Sequence, residues 1–111
     1  MVINWQFYSK NKLIDDLKNI DCAFENKQII VSFNDSKNII DIDKKRYIRF
    51  YDNYQMIIDF KKKTVTFKLE NINPLEYEIN CSFEREENII KLTYNIDDDE
   101  KKIIIERKRE K

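Results

Sequence analysis

The sequence predicts an all-β domain of about eight to nine mainly antiparallel strands, closed into a barrel, with one short N-terminal helix. Three observations predict this. Apolar and polar residues alternate with a period of two in many short segments. Turns of Asn, Asp and Lys separate these segments at regular spacing. The chain has 111 residues, 41% of them hydrophobic, which is enough for one core. We therefore expect a single domain covering residues 1–111.

The N-terminal region carries the weakest strand signals and the only helical spacing. Trp5–Tyr8 and Cys22–Phe24 are short strand candidates. Between them, residues 11–20 place their apolar side chains three or four positions apart, as an amphipathic helix does. Those side chains are Leu13, Ile14, Leu17 and Ile20. A short helix is predicted here.

The central region reads as a series of hairpins. The predicted strands are Gln28–Phe33, Asn38–Asp43, Arg46–Tyr51, Tyr54–Phe60 and Thr64–Leu69. The turn between the last two is Lys61-Lys62-Lys63. Because the chain has no glycine, Asn and Asp must supply the positive φ angles that hairpin turns need. No internal repeat is apparent.

The C-terminal region predicts a three-stranded meander. Glu76–Glu84 alternates apolar residues on one face with charged and polar residues on the other. Ile90–Ile96 and Lys102–Arg107 follow after polar turns. Pro74, the only proline, is expected in a loop between two halves of the sheet. A closed barrel is favoured over a sandwich because an open meander would leave two exposed edges.

The composition excludes several classes of function. Without histidine, the usual catalytic triads and mixed zinc sites are missing, and without glycine neither a P-loop nor a dinucleotide-binding turn can form. We expect no enzyme, no cofactor and no metal. The 21 basic and 21 acidic residues cancel, so no general attraction to nucleic acid is implied. No membrane span or export signal is apparent, and a cytoplasmic location with reduced cysteines is expected.

The strand order resembles a family of uncharacterised bacterial calycin-like β-barrel proteins. The resemblance spans Asp21 to Lys108 and lies in the segment Lys27–Asn34, in Met56–Phe60 and in the closing pair 75–84 and 88–107. It implies a lipocalin-like barrel and no particular activity, because fold alone does not determine function. The abundance of Ile, Asn and Lys is typical of an AT-rich genome.

The leading functional hypothesis is a non-catalytic barrel that binds a small apolar molecule. A barrel of this size can hold one small ligand, and aromatic and Met side chains would line its interior. The candidate lining residues are Tyr54, Met56, Phe67, Tyr77, Phe83 and Tyr94. A fully packed core is the competing explanation for the same pattern.

The alternative hypothesis is an interaction module that binds a protein or nucleic acid through the surface from Lys44 to Tyr54. Basic side chains neutralise phosphates, and aromatic rings stack on bases. The candidate residues are Lys44, Lys45, Arg46, Arg49 and Tyr51. The competing explanation is an ordinary strand with Ile48 and Phe50 in the core and Tyr47 outside. A monomer or an edge-paired homodimer fits either hypothesis.

Overall fold

The computed structural model describes residues 1–108, and the strands in this part of the chain are all antiparallel. It contains twelve strands. They are β1 (Val2–Ser9), β2 (Lys12–Asp21), β3 (Ala23–Glu25), β4 (Gln28–Phe33), β5 (Ser36–Asp41), β6 (Arg46–Tyr51), β7 (Tyr54–Asp59), β8 (Thr64–Leu69), β9 (Leu75–Glu78), β10 (Cys81–Arg85), β11 (Ile89–Ile96) and β12 (Asp99–Lys108). The predicted all-β class is confirmed.

The strands belong to two compact units. One unit contains Met1–Asp21 and the chain from Asn80 onward, and its five-stranded sheet has the order β10-β11-β12-β1-β2. The other unit is Cys22–Ile79, a seven-stranded meander in which each strand from β3 to β9 pairs with the next. The predicted domain of residues 1–111 includes both units, and its residues 109–111 lie outside the described residues.

The predicted closed barrel is wrong for the strand pairing within residues 1–108. The five-stranded sheet ends at β10 and β2, and the seven-stranded sheet ends at β3 and β9. The strands β3 and β9 have three and four residues, against six in each strand between them.

The predicted N-terminal helix is also wrong, because residues 12–21 form strand β2. Two β-bulges interrupt its pairing with β1. Ile3 pairs with Ile20 and Trp5 pairs with Leu17, so β2 has one extra residue between these two pairs. A bulge therefore places Leu17 and Ile20 on the same face at a spacing of three, which imitates a helix. Asn19 in this bulge has a φ of 56°, and its N–H donates to Asn4 Oδ1 at 3.0 Å.

The predicted strand Glu76–Glu84 is two strands that belong to different units. The chain leaves the seven-stranded sheet at Ile79 and enters the five-stranded sheet at Asn80. Pro74 does not mark this boundary, since it lies between β8 and β9 of one sheet. The predicted meander of three C-terminal strands is confirmed as β10-β11-β12. Continuous alternation conceals the break because both strands keep the period of two.

The seven-stranded sheet contains an 18-residue repeat, so the prediction that the chain has no internal repeat is wrong. Asp41 and Asp59 each end a strand, and each carboxylate accepts a hydrogen bond from a backbone N–H three residues later. The distances to the nitrogens of Lys44 and Lys62 are 2.8 Å and 3.0 Å. The sequences IIDI and IIDF around the two aspartates carry the repeat.

The same offset relates the strands that precede the two aspartates. Gln28 Nε2 donates to Asp41 Oδ2 at 3.0 Å, and Arg46 Nε lies 3.4 Å from Asp59 Oδ2. Lysines at 27, 45 and 63 follow the same offset, and all three have positive φ angles. Each repeat is one hairpin stabilised by a carboxylate at its turn.

Thirteen residues other than glycine have positive φ in the described chain. Four two-residue hairpin loops have positive φ at both positions, as a type I′ turn requires. These loops are Lys10-Asn11, Asn26-Lys27, Asn34-Asp35 and Asp97-Asp98. The prediction that Asn and Asp replace glycine is confirmed for nine of the thirteen residues, and lysine occupies the other four.

Each sheet buries apolar side chains in register. In the seven-stranded sheet, one row across five paired strands is at most 4% exposed, and it consists of Ile29, Ile40, Tyr47, Ile58 and Val65. In the five-stranded sheet, Trp5, Ile105 and Ile90 form a paired row that is at most 7% exposed. Burial of this kind contributes roughly 1.5–3 kcal/mol for each large side chain.

Replacing Lys63 by Val is expected to lower the free energy of unfolding by about 1–2 kcal/mol. Lys63 has a φ of 56°, and a β-branched side chain is strained in that region. The control is Lys62→Val in the same turn, where φ is not positive, and we expect a smaller loss. Urea denaturation of both variants measures the difference. Equal losses would show that the backbone angle at Lys63 does not limit stability.

The Asp41 carboxyl is expected to make stability depend on pH in the acid range. Burial raises the pKa of Asp41, but hydrogen bonds from Lys44 and Gln28 and the charge of Lys44 outweigh it, so the pKa lies below 3.8. The stabilisation is complete above the unfolded value and disappears as pH falls through the lowered folded value. Urea denaturation at several pH values should show a flatter acid response for Asp41→Asn.

The Asp41→Asn variant is also expected to lose about 1 kcal/mol near neutral pH, since the turn N–H loses a charged acceptor. Asp43→Asn is the control in the same turn. Its carboxylate lies 3.8 Å from Lys27 Nζ with both side chains mostly exposed, so little change is expected. An unchanged acid response in Asp41→Asn would contradict the assignment of the turn carboxylate.

Candidate functional site

Four of the six predicted ligand-lining residues lie together on one face of the seven-stranded sheet. Met56 pairs with Phe67 across β7 and β8. The rings of Tyr54 and Phe67 stack with centroids 6.0 Å apart, and those of Phe67 and Tyr77 lie 5.9 Å apart. The other two predicted residues, Phe83 and Tyr94, lie on β10 and β11 of the five-stranded sheet.

Two of the residues predicted for surface binding share that face. Arg49 pairs with Met56, and Tyr51 pairs with Tyr54, across β6 and β7. The two predicted sets, one for an interior and one for a surface, therefore overlap on a single side of the sheet. Paired residues in a sheet point to the same side, so this follows from the register alone.

The other basic residues predicted for surface binding lie elsewhere. Lys44 and Lys45 are in the turn before β6, and Tyr51 is at the far end of that strand. Five residues of strand separate the two ends by about 16 Å. Arg46 faces the opposite side of the sheet, with Asp59 as its ion-pair partner at 3.4 Å. The structure does not gather the predicted basic residues into one patch.

The orientation of β6 in the competing explanation, with Ile48 and Phe50 in the core and Tyr47 outside, is wrong. Tyr47 is 2% exposed and belongs to the buried row, whereas Ile48 is half-buried and Phe50 is 36% exposed. A buried hydrogen bond explains the reversal, because the Tyr47 hydroxyl donates to Asn38 Oδ1 at 2.7 Å. Asn38 Nδ2 in turn donates to Ser36 Oγ at 3.3 Å. Burial of a tyrosine requires such a partner.

We call the cluster of these side chains the aromatic face. It consists of Arg49, Tyr51, Tyr54, Phe67, Leu69, Leu75 and Tyr77, which the register places on the same side of β6, β7, β8 and β9. This is also the side that carries the buried row, so the aromatic face is a partly accessible continuation of it. Four of its members remain accessible, with exposed fractions of 46% for Tyr51, 40% for Leu69, 61% for Leu75 and 40% for Tyr77. Grouped exposed apolar side chains of this kind mark interaction sites.

Arg49 is the only charged member of the aromatic face. Its guanidinium carbon lies 5.8 Å from the centre of the Tyr51 ring, within the range of a cation–π contact. Its Nε is buried and has no hydrogen-bond partner. Burial raises the pKa of Tyr54, the positive charge of Arg49 acts to lower it, and Tyr77 adds to the increase. Tyr54 is therefore a neutral hydroxyl at physiological pH, able to donate or accept.

A shallow groove of about 400 Å³ lies at the same end of the sheet. Its lining combines Phe50 and Leu69 with the charged residues Asp52, Lys68 and Glu70. Phe50, Gln55 and Lys68 are paired across three strands, on the side of the sheet opposite the aromatic face. Tyr54 of the aromatic face also lines the groove, which is open and as polar as it is apolar, unlike the enclosed apolar site that was predicted.

Residues 1–108 contain no group of three or more Cys, Asp or Glu arranged to hold a metal ion. In the same part of the chain, no helix has the length and apolar character needed to cross a membrane.

Sequence analysis missed Leu69 and Leu75 as members of the aromatic face. Leu69 ends β8 and pairs with Tyr54, and Leu75 begins β9 and pairs with Phe67. The alternation Val65, Phe67, Leu69 was visible in the sequence. The pairing of β9 with β8 was not visible, because residues 75–84 read as one strand of a different meander.

Arg49→Met is expected to raise the free energy of unfolding by about 1 kcal/mol. The substitution keeps an unbranched apolar side chain as far as the position of Nε and removes a buried donor that has no partner. Thermal and urea denaturation measure the change. Arg46→Met is the matched control on the same strand, and it should be destabilising because Asp59 loses its ion-pair partner. A loss of stability in Arg49→Met would contradict the interpretation that its Nε is unsatisfied.

In comparisons with known proteins, the chain matches no family model, no curated protein and no solved structure. The resemblance to calycin-like proteins therefore stays a prediction, and the function has to be argued from the site.

Proposed function

We propose that this protein is a non-catalytic interaction module that binds a partner protein through the aromatic face. The observation that carries the proposal is the presence of Tyr51, Leu69, Leu75 and Tyr77 on one side of one sheet, each at least 40% exposed. Leaving four large apolar side chains in water has a free-energy cost that a bound partner would remove.

The composition of the face supports a protein partner. Tyrosine and arginine are enriched among the residues that dominate protein–protein binding energy, and such residues cluster beside well-packed apolar neighbours. Here Tyr51 and Tyr77 are accessible, while Phe67 and Met56 are more buried and support them. Arg49 adds one positive charge beside the accessible Tyr51 ring.

The alternatives have less support. A nucleic-acid surface needs basic side chains among the stacking rings, and only Arg49 combines with the aromatic residues here. A small apolar ligand needs an enclosed site, but the pairing order leaves both sheets open and the groove near Phe50 is shallow. The predicted cytoplasmic location stays a prediction.

Site-specific photo-crosslinking tests the proposal. A benzophenone amino acid at position 51 of the full chain, activated in the cells that make this protein, should give one discrete protein adduct. The same group at Ile14, which is 57% exposed on β2, is the control and should not give that adduct. Crosslinks to RNA, or identical adducts from both positions, would overturn the proposal.

The partner that the crosslink identifies is then purified, and its affinity for this protein and for the variants is measured. Tyr51→Ala and Tyr77→Ala should each weaken binding by about 10- to 30-fold, as expected for central aromatic residues of an interface. Ile14→Ala should leave the affinity unchanged. If both tyrosine variants bind as tightly as the unmodified protein, the aromatic face is not the binding surface.

A further inference from the structure

The strand β9 is an exposed edge of the seven-stranded sheet. It consists of Leu75–Glu78, and all four residues are exposed. It is the last strand of the sheet, so one of its sides pairs with β8 and no described strand pairs with the other. Two members of the aromatic face, Leu75 and Tyr77, belong to this strand. The edge and the aromatic face therefore meet along β9.

The hydrogen-bond alternation shows which main-chain groups of β9 point outward. Ile79 N–H donates to the carbonyl of Lys63 at 3.0 Å, so Ile79 belongs to the hydrogen-bonded set of pairs with β8. In an antiparallel ladder this set alternates, so Leu75 and Tyr77 belong to it as well. The N–H and C=O groups of Glu76 and Glu78 are therefore directed toward the open side of the edge.

The side chains of β9 carry a matching alternation of chemistry. Leu75 and Tyr77 lie on the aromatic face, and Glu76 and Glu78 lie on the opposite side of the sheet. Across β8, Glu76 pairs with Thr66 and Glu78 pairs with Thr64, neither of which has a charge. A strand added on the open side would bring its own side chains directly opposite the two glutamates.

We propose that β9 is a strand-addition site for an extended segment of a partner protein, in which apolar and basic residues alternate. The segment binds antiparallel to β9 at the normal strand spacing of about 4.8 Å. Its apolar side chains continue the aromatic face beside Leu75 and Tyr77. Its basic side chains lie opposite Glu76 and Glu78. The proposal rests on the proposed protein-binding function and specifies the partner's chemistry.

A second copy of this chain fits the edge poorly. Two β9 strands paired antiparallel would place the glutamates of one copy beside those of the other, and like charges directly opposite each other destabilise a sheet. The predicted edge-paired homodimer is therefore not favoured at β9. A basic segment removes the same electrostatic cost.

Short synthetic peptides test the proposal with the full-length protein. A fluorescent peptide that alternates Val and Lys should bind about tenfold more tightly than one that alternates Val and Glu. A third peptide has the same Val and Lys content as the first, but all of its Val residues are adjacent, and it should not bind. Equal binding of the first two peptides, or no binding by any of them, would overturn the proposal.

Charge reversal and backbone methylation make the test specific. The double variant Glu76→Lys/Glu78→Lys should reverse the preference, so that the Val–Glu peptide binds more tightly. Both positions are exposed, and circular dichroism confirms that the variant is folded. Methylating the backbone nitrogens of the Lys residues in the peptide should abolish binding, because these backbone N–H groups face the Glu76 and Glu78 carbonyls. Methylating the backbone nitrogens of the Val residues should have little effect.

The two proposals fail in different ways. Suppose that Tyr51→Ala lowers the affinity for the crosslinked partner, but charge reversal on β9 does not change the affinities for the peptides. The proposed role of the aromatic face is then supported and strand addition is refuted. If the peptides show the expected charge and methylation dependence while Tyr51→Ala leaves the partner's affinity unchanged, the edge stands and the wider face is refuted.

Discussion

The seven-stranded sheet depends on the hydrogen bonds that the carboxylates of Asp41 and Asp59 accept from backbone N–H groups in the turns. Each carboxylate fixes one four-residue turn, and each turn fixes the register of the hairpin that follows. A shift of one residue would move every side chain to the other side of the sheet. The aromatic face exists because both turns hold the same register.

A buried polar contact determines which side of the seven-stranded sheet is buried. The hydrogen bond between Tyr47 and Asn38 joins β6 to β5 inside an otherwise apolar row. Leaving the Asn38 amide without partners would cost several times more than the bond gains, so the pair specifies one arrangement. With Tyr47 inside, the period of two carries Arg49 and Tyr51 to the same side, where they join the rings of β7 and β8.

Much of the seven-stranded sheet could be predicted from the sequence. The bounds of β4, β6 and β8 agree with the prediction, and those of β5 and β7 agree within two residues. Alternation is reliable here because each strand lies between two neighbours and has one buried face. It fails at β2, where bulges change the spacing, and at residues 79–80, where a strand ends without any change in alternation.

The candidate site was predicted only in parts. Tyr54, Met56, Phe67 and Tyr77 share one side of one sheet, whereas Phe83 and Tyr94, which were assigned to the same ligand site, belong to another sheet. Arg49 and Tyr51 were assigned to a competing surface. Periodicity indicates which residues of one strand share a face, but it does not indicate which strands are neighbours. The 18-residue repeat around Asp41 and Asp59 contained part of that information, and sequence analysis did not detect it.

The turns of the seven-stranded sheet have a further physical consequence. Because the meander reverses at every turn, Lys27, Lys45 and Lys63 lie at one end of the strands, while Asp35 and Asp52 lie at the other. Asp41, Asp43 and Asp59 lie at the same end as the lysines, within 3.8 Å of Lys27 Nζ in the case of Asp43 and 3.4 Å of Arg46 Nε in the case of Asp59. The carboxylates of the turns therefore also offset the positive charge that the lysines bring to that end of the sheet.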